Sequence, residues 1–104
     1  MDRAAEFHEV HNIRKLRLIF SIRVGRLNDV TLIYTTHARL RMRQRGIRAR
    51  DIEATVHAPN RVTNSFGSRL VAQRDVGGRT LEVVYKRLNH TVVVITVYWL
   101  EEGV

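Results

Sequence analysis

The sequence contains no cysteine, one proline and no long apolar segment. Without cysteine, disulfide scaffolds and thiolate metal sites are excluded. No apolar run approaches the roughly 20 residues that a membrane-spanning helix requires. Residues 1–10 also lack the basic and apolar regions of a secretory signal. These absences predict a cytoplasmic protein with no membrane partner.

The length of 104 residues predicts one domain with one modest core. We expect a single domain over residues 1–104, with its core at 34–100 and a flexible leader at 1–12.

The charge is strongly positive: the sequence has 18 lysines and arginines and 10 acidic residues, which gives a net charge of +8. Of the 18 cations, 16 are arginine. Because the planar guanidinium suits phosphate oxygens, RNA is the expected partner. A GC-rich genome or a thermophilic source would also explain the arginines, and both explanations can hold.

The first half of the chain predicts a β-hairpin. Residues 16–24 alternate between apolar and other side chains with the period of a strand, residues 25–29 offer turn residues, and 30–34 reads as a second strand. Such a hairpin could pair with a second copy of the chain, which predicts a homodimer.

Two helices are expected next. Thr35 or Thr36 can cap a helix that begins at His37 or Ala38, and Gly46 suits its left-handed end. Residues 47–57 then predict a second helix, which Pro59 stops.

The remainder predicts an antiparallel meander with strands at 61–63, 69–76, 79–88 and 91–100. Gly77-Gly78 and Asn89-His90 mark its tight turns. The last strand is apolar on both faces, as in the middle of a sheet. The expected fold class is α+β, with two helices on one face of a mostly antiparallel sheet and an N-terminal hairpin or helix extension.

The first helix carries a stripe of cations. On a helical wheel His37, Arg41 and Arg45 lie at roughly 0°, 40° and 80°, between Leu40 and Met42. Cations on a face turned toward a core need an anionic or polar partner, and a bound phosphate would supply one.

The residues of these helices and of the last strand form a recognisable pattern: His37, Arg41, Met42, Arg45, Gly46, Ile47, Asp51, Ile52, Glu53, Pro59 and residues 95–98. Over residues 34–99 the chain resembles domain-of-unknown-function family 4258. That family is similar to the barnase/EndoU/colicin/RelE-like group of nucleases and toxins. The resemblance implies a nuclease-like core in which His37, Arg41 and Thr96 face one cleft. Arg48 departs from the pattern, since a serine or threonine cap often stands there, and the N-terminal hairpin is additional.

RNA cleavage without a metal needs a base, an acid and cations that hold the phosphate. His37 fits the base, and Arg41 and Arg45 fit a phosphate clamp. Side chains of the sheet that could face them are Arg74, Lys86 and the hydroxyl of Thr96 or Tyr98, depending on strand register. No cofactor is expected, and His8 and His11 lack the further ligands of a metal site.

Each of these residues also has a structural explanation. His37 could simply cap a helix, and Thr96 could be ordinary β-branched packing. Arg41 could form an ion pair with one of three carboxylates: Asp51, Glu53 or Glu82.

Three functions therefore follow from the sequence. The first is a toxin-like endoribonuclease that cuts RNA by attack of the 2′-hydroxyl and is neutralised by an acidic antitoxin. The second is a non-catalytic basic module that binds nucleic acid through the same arginines. The third is an oligomerising protein that pairs through its N-terminal hairpin.

Overall fold

The computed structural model describes residues 20–27 and 30–100. The predicted leader at 1–12 and the predicted start of the first strand at 16–19 lie outside these residues. The described strands are β1 (Phe20–Leu27), β2 (Val30–Thr35), β3 (Arg61–Asn64), β4 (Leu70–Val76), β5 (Arg79–Leu88) and β6 (Thr91–Leu100). The helices are α1 (Thr36–Arg45) and α2 (Ala49–His57), and a short 3-10 turn follows at Phe66–Ser68.

The strands form one sheet of six in the order β1-β2-β6-β5-β4-β3. Strand β2 runs parallel to β6, and every other neighbouring pair is antiparallel. Strand β6 lies inside the sheet, as its two apolar faces predict. The predicted α+β class and the mostly antiparallel sheet are confirmed.

Both helices cover the same face of the sheet, where α1 contacts β6 and β2 and α2 contacts β5 and β4. Ala38 of α1 and Ile52 of α2 are fully buried there. The buried strand residues of this core are Leu32, Tyr34, Ala72, Leu81, Val83, Tyr85, Val92, Val94 and Val97. No helix in the described part of the chain is both long and apolar enough to cross a membrane.

The predicted cap residues of α1 are confirmed, although the helix begins at Thr36, one residue before the predicted start. Thr35 is the N-cap residue, and its Oγ accepts a hydrogen bond from the amide of Ala38 at 3.0 Å. Gly46 closes the helix at φ +64°, a left-handed conformation that glycine adopts at low cost. The amides of Gly46 and Ile47 both donate to the carbonyl of Met42.

Two other predicted boundaries are wrong by two or more residues. Helix α2 begins at Ala49 rather than at residue 47, because Arg48 is extended at φ −90° and ψ 147° and provides no side-chain cap. Ile47 is buried nonetheless, from the connection between the helices. Strand β1 does not turn at Gly25, which pairs with Leu32; the strand continues to Leu27.

The predicted tight turns are confirmed. Gly77 and Gly78 have φ of +58° and +85° and join β4 to β5, as expected of a two-residue hairpin. Asn89, with φ +58°, adopts the left-handed conformation between β5 and β6.

Strand β6 contains a β-bulge at Ile95. Val94 pairs with Tyr85 and Thr96 pairs with Val84, so Ile95 has no partner on β5. One extra residue reverses the alternation of side chains beyond that point. Val97 therefore joins Val94 on the helix-covered face, while Thr96 lies on the other face.

We expect Thr35→Val to lower the free energy of unfolding by about 1–3 kcal/mol, because it leaves the Ala38 amide and the Ile95 carbonyl without their hydrogen-bond partner. Urea unfolding followed by circular dichroism measures this difference. Thr63→Val, on the exposed strand β3, is the matched control and should have almost no effect. Equal losses in the two variants would show that the Thr35 hydroxyl does not stabilise the fold.

Candidate functional site

The site lies where β6 extends beyond β2. Strand β2 pairs with β6 only as far as Val94, and α1 begins directly after β2 and packs against the rest of β6. The hydroxyl of Thr35 donates to the Ile95 carbonyl at 2.9 Å. At the other end of α1, Arg45 Nη1 donates to the Val97 carbonyl at 3.1 Å, and Trp99 Nε1 donates to the Arg45 carbonyl at 2.9 Å. Hydrogen bonds at both ends therefore hold α1 beside β6.

An open cleft of about 500 Å³ lies between this helix and strand. Its lining residues are His37, Arg41, Arg45, Arg79, Thr96, Tyr98 and Trp99. Strand β6 contributes residues of both its faces, since Trp99 pairs with Leu81 on the helix-covered face and Tyr98 pairs with Glu82 on the other. The cleft therefore includes the edge of β6 that β2 leaves uncovered.

The structure brings together five of the predicted site residues: His37, Arg41, Arg45, Thr96 and Tyr98. Arg74 and Lys86 do not line the cleft. Arg74 donates to the Ala58 carbonyl at the end of α2, and Lys86 lies on the sheet face away from the helices. The described residues contain no group of three side chains that could bind a metal ion, and His8 and His11 lie outside them.

The stripe of α1 is more exposed than predicted. His37 and Arg45 are exposed, Arg41 is half-buried, and Leu40, expected as an apolar flank, is 40% exposed. Ala38 is the buried residue of this helix. The stripe therefore faces the open cleft. The prediction that it faces the core, where its cations would need an anionic or polar partner, is wrong.

His37 and Arg41 contact one another one helical turn apart. Arg41 Nε donates to His37 Nε2 at 3.4 Å, and Arg41 Nη1 donates to Gln44 Oε1 at 2.7 Å. In this contact the ring nitrogen of His37 is the acceptor. Nε2 of His37 is therefore positioned as a proton acceptor in the cleft.

The alternative ion pairs of Arg41 are not formed among the described residues. Asp51 instead contacts Arg48 at 3.3 Å. Glu82 is 8% exposed and accepts from Gln73 at 2.6 Å and from the hydroxyl of Tyr98. Asp51 and Glu82 are therefore engaged elsewhere, and Nη1 of Arg41 bonds the neutral amide of Gln44.

Tyr98 is held as a neutral hydroxyl. Burial, the hydrogen bond to Glu82 and the negative charge of Glu82 together raise the pKa of Tyr98 to about 12. At neutral pH the phenol keeps its proton, so it can donate a hydrogen bond but is a poor general acid. Its bond to Glu82 also fixes its position beside the cleft.

Sequence reasoning missed two residues of the cleft, Arg79 and Trp99. The guanidinium carbon of Arg79 lies 4.0 Å from the centroid of the Trp99 ring. These residues are twenty positions apart in the chain and meet through the pairing of β5 with β6. The only available signal was that Trp99 is the single tryptophan of the sequence.

The family model "Domain of unknown function (DUF4258)" matches residues 34–99, which is more than half of the chain. The chain belongs to the DUF4258 family. The match begins at the end of β2 and includes every residue that lines the cleft. The DUF4258 resemblance drawn from the sequence is thereby confirmed. Comparisons with curated proteins and with solved structures find no match.

We expect Glu82→Gln to lower the pKa of Tyr98 from about 12 toward its ordinary value of about 10, because the carboxylate charge is removed while the burial remains. Phenolate absorbance during an alkaline titration measures it, and Tyr98→Phe in both backgrounds isolates the Tyr98 signal. An unchanged pKa would mean that Glu82 does not control this hydroxyl.

The raised pKa of Tyr98 also makes the free energy of unfolding depend on pH. The folded protein holds the Tyr98 proton more tightly than the unfolded chain does, so this stabilisation is complete below about pH 10 and is lost as the pH rises toward 12.

Proposed function

We propose that this DUF4258 protein is a metal-independent endoribonuclease of the toxin–antitoxin type. The observation that carries the proposal is the composition of the cleft. One imidazole and three guanidinium groups line it, and the lining contains no carboxylate among the described residues. Such a lining suits a phosphodiester, because arginine forks bind phosphate oxygens and an imidazole can move a proton near neutral pH.

Phosphate binding is the first step of the proposed reaction. The guanidinium of Arg41 bonds His37 only at 3.4 Å and an amide oxygen at 2.7 Å. A phosphate oxygen is a stronger acceptor than either because it is charged. As the RNA backbone binds, Arg41 turns its donors to the phosphate and releases Nε2 of His37.

Proton transfer follows. Nε2 of His37 takes the proton of the ribose 2′-hydroxyl, and the 2′-oxygen attacks the adjacent phosphorus. The bond from phosphorus to the 5′-oxygen breaks, which leaves a 2′,3′-cyclic phosphate. The departing oxygen takes a proton from water in the open cleft, and the hydroxide that remains takes the proton held by His37, which restores the neutral imidazole. Arg41 and Arg45 stabilise the charge that develops on the phosphorus centre.

The hydroxyl groups of β6 position the substrate in this scheme. Thr96 is partly exposed in the cleft and can donate to a phosphate oxygen. Tyr98 donates its single hydroxyl proton to Glu82 and has a pKa raised to about 12, so it offers the substrate an acceptor oxygen and no proton for the leaving group.

An acidic antitoxin is the partner that the charge favours. The chain carries +8, and its cleft concentrates cations that an acidic segment could cover. A neighbouring reading frame that encodes a short acidic protein, and suppression of RNA cutting by that protein, would test this part of the proposal.

A second function, a non-catalytic module that binds nucleic acid, is favoured by one observation. Among the described residues, His37 is the single imidazole of the cleft, and the hydroxyl of Tyr98, with its raised pKa, is held by Glu82. Binding would use the same arginines, would weaken steeply with salt and would yield no products.

We expect His37→Ala to reduce the rate of RNA cutting at least about 100-fold, the usual contribution of a general base. The assay incubates purified protein with total RNA in the presence of a chelator and separates the products on a denaturing gel. His90→Ala is the matched control, because His90 is exposed in the turn that precedes β6, at the opposite end of that strand from Trp99.

Full cutting by the His37 variant would contradict the assigned base. No cutting by the unaltered protein at any excess, together with salt-sensitive binding, would favour the second function over the first.

We expect Arg41→Ala to reduce the slope of log affinity against log salt concentration by about 0.7, the value for loss of one phosphate contact on a single strand. A fluorescent, uncleavable RNA titrated at several salt concentrations measures the slope. Arg50→Ala removes an exposed arginine of α2 outside the cleft and should change it far less. Equal slopes in the two variants would show that Arg41 does not contact the phosphate.

A further inference from the structure

One wall of the cleft has a composition that phosphate binding does not require. Trp99 lines the cleft and is packed partly against the core, and its indole N–H is fixed to the Arg45 carbonyl at 2.9 Å. The ring is therefore held in one place in the cleft that Arg41 and Arg45 of α1 also line. A fixed, partly exposed indole is a surface on which a flat group can stack.

Arg79 extends this surface. It is exposed at the start of β5, and its guanidinium carbon lies 4.0 Å from the centroid of the Trp99 ring. A guanidinium is flat on both sides, so contact with the indole on one side leaves the other side available. Its N–H groups point outward from its edges and can still bond acceptors in the cleft.

Arginine planes and aromatic rings are the groups on which proteins stack unpaired nucleobases. The Arg79–Trp99 pair and the phosphate-binding groups Arg41 and Arg45 line the same cleft of about 500 Å³. One part of this cleft therefore suits an anion and the adjoining part suits a planar ring. A nucleotide combines these two features, whereas an inorganic anion has only the first.

We propose that the Arg79–Trp99 pair is a base-binding subsite, on which one unpaired base of the RNA stacks next to the phosphate held by Arg41. The inference rests on the proposed function in that its ligand is RNA. It adds that the substrate is single-stranded, because the bases of a duplex are already stacked inside the helix. Arg79 and Trp99 select for this state of the RNA and take no part in proton transfer.

The single tryptophan makes the test direct, because the tryptophan fluorescence of the protein, excited where tyrosine hardly absorbs, comes from Trp99 alone. The probe is a strand of six uridines with 2′-O-methyl sugars, which cannot be cut by 2′-hydroxyl attack. Its control is a strand of the same length and charge without bases. We expect the uridine strand to quench Trp99 and to bind about tenfold more tightly than the abasic strand.

The matched variants separate stacking from charge. Arg79→Lys keeps the positive charge and removes the planar group, so we expect it to lose about tenfold in affinity for the uridine strand and almost nothing for the abasic strand. Arg61→Lys, on the exposed strand β3 outside the cleft, should bind both strands as the unaltered protein does. Trp99→Leu, measured by anisotropy of labelled strands, should lose the same preference for bases.

Equal binding of the two strands by the unaltered protein, or equal behaviour of the Arg79 and Arg61 variants, would overturn the subsite. If RNA cutting still depended on His37 in that case, the proposed function would stand without it. A clear preference for bases in a protein that cuts no RNA would support the subsite and contradict the nuclease. No binding of either strand would overturn both.

Discussion

The hydroxyl of Thr35 makes two hydrogen bonds where β2 ends, accepting from the amide of Ala38 and donating to the carbonyl of Ile95. The first bond caps the N-terminus of α1, and the second ties that end of the helix to β6. Because β2 stops there, no strand of the described residues flanks the rest of β6 on that side, and α1 lies beside it. The bonds between Arg45 and the Val97 carbonyl, and between Trp99 and the Arg45 carbonyl, fix the other end of the helix. The cleft exists because a helix takes the place of a strand.

The bulge at Ile95 decides which side chains of β6 enter that cleft. With strict alternation, Thr96 would share a face with Val92 and Val94 and would point into the core. The extra residue gives that place to Val97, which is fully buried, and leaves Thr96 partly exposed in the cleft. Packing of the core and composition of the cleft are thus set by the same irregularity.

Local features of the fold were predictable from the sequence because their causes are local. Thr35 and Gly46 bound α1 through short-range hydrogen bonds and a left-handed backbone, and Gly77-Gly78 requires positive φ values. The parallel pairing of β2 with β6 and the bulge at Ile95 depend on contacts between distant segments. The period of the sequence contains no signal for either, so the face of Thr96 could not be assigned from it.

The site was predictable to the extent that it lies on one helix. His37, Arg41 and Arg45 share a stripe by helical geometry alone, although the sequence wrongly placed that stripe toward the core. Arg79 and Trp99 join the stripe only through the order of strands in the sheet. The cleft combines a cationic helix face with a stacked pair of side chains from the sheet. The proposed function requires both parts to contact the same nucleotide.

Nuclear magnetic resonance of isotope-labelled protein during titration with uridine 3′-monophosphate tests this account most directly. We expect the largest shifts at the imidazole of His37 and at the Nε–H of Arg41, because the phosphate takes over the hydrogen bond between them. Unchanged signals from these two groups, with shifts instead at exposed arginines such as Arg50 and Arg61, would show that the cleft is not where the protein receives a phosphate.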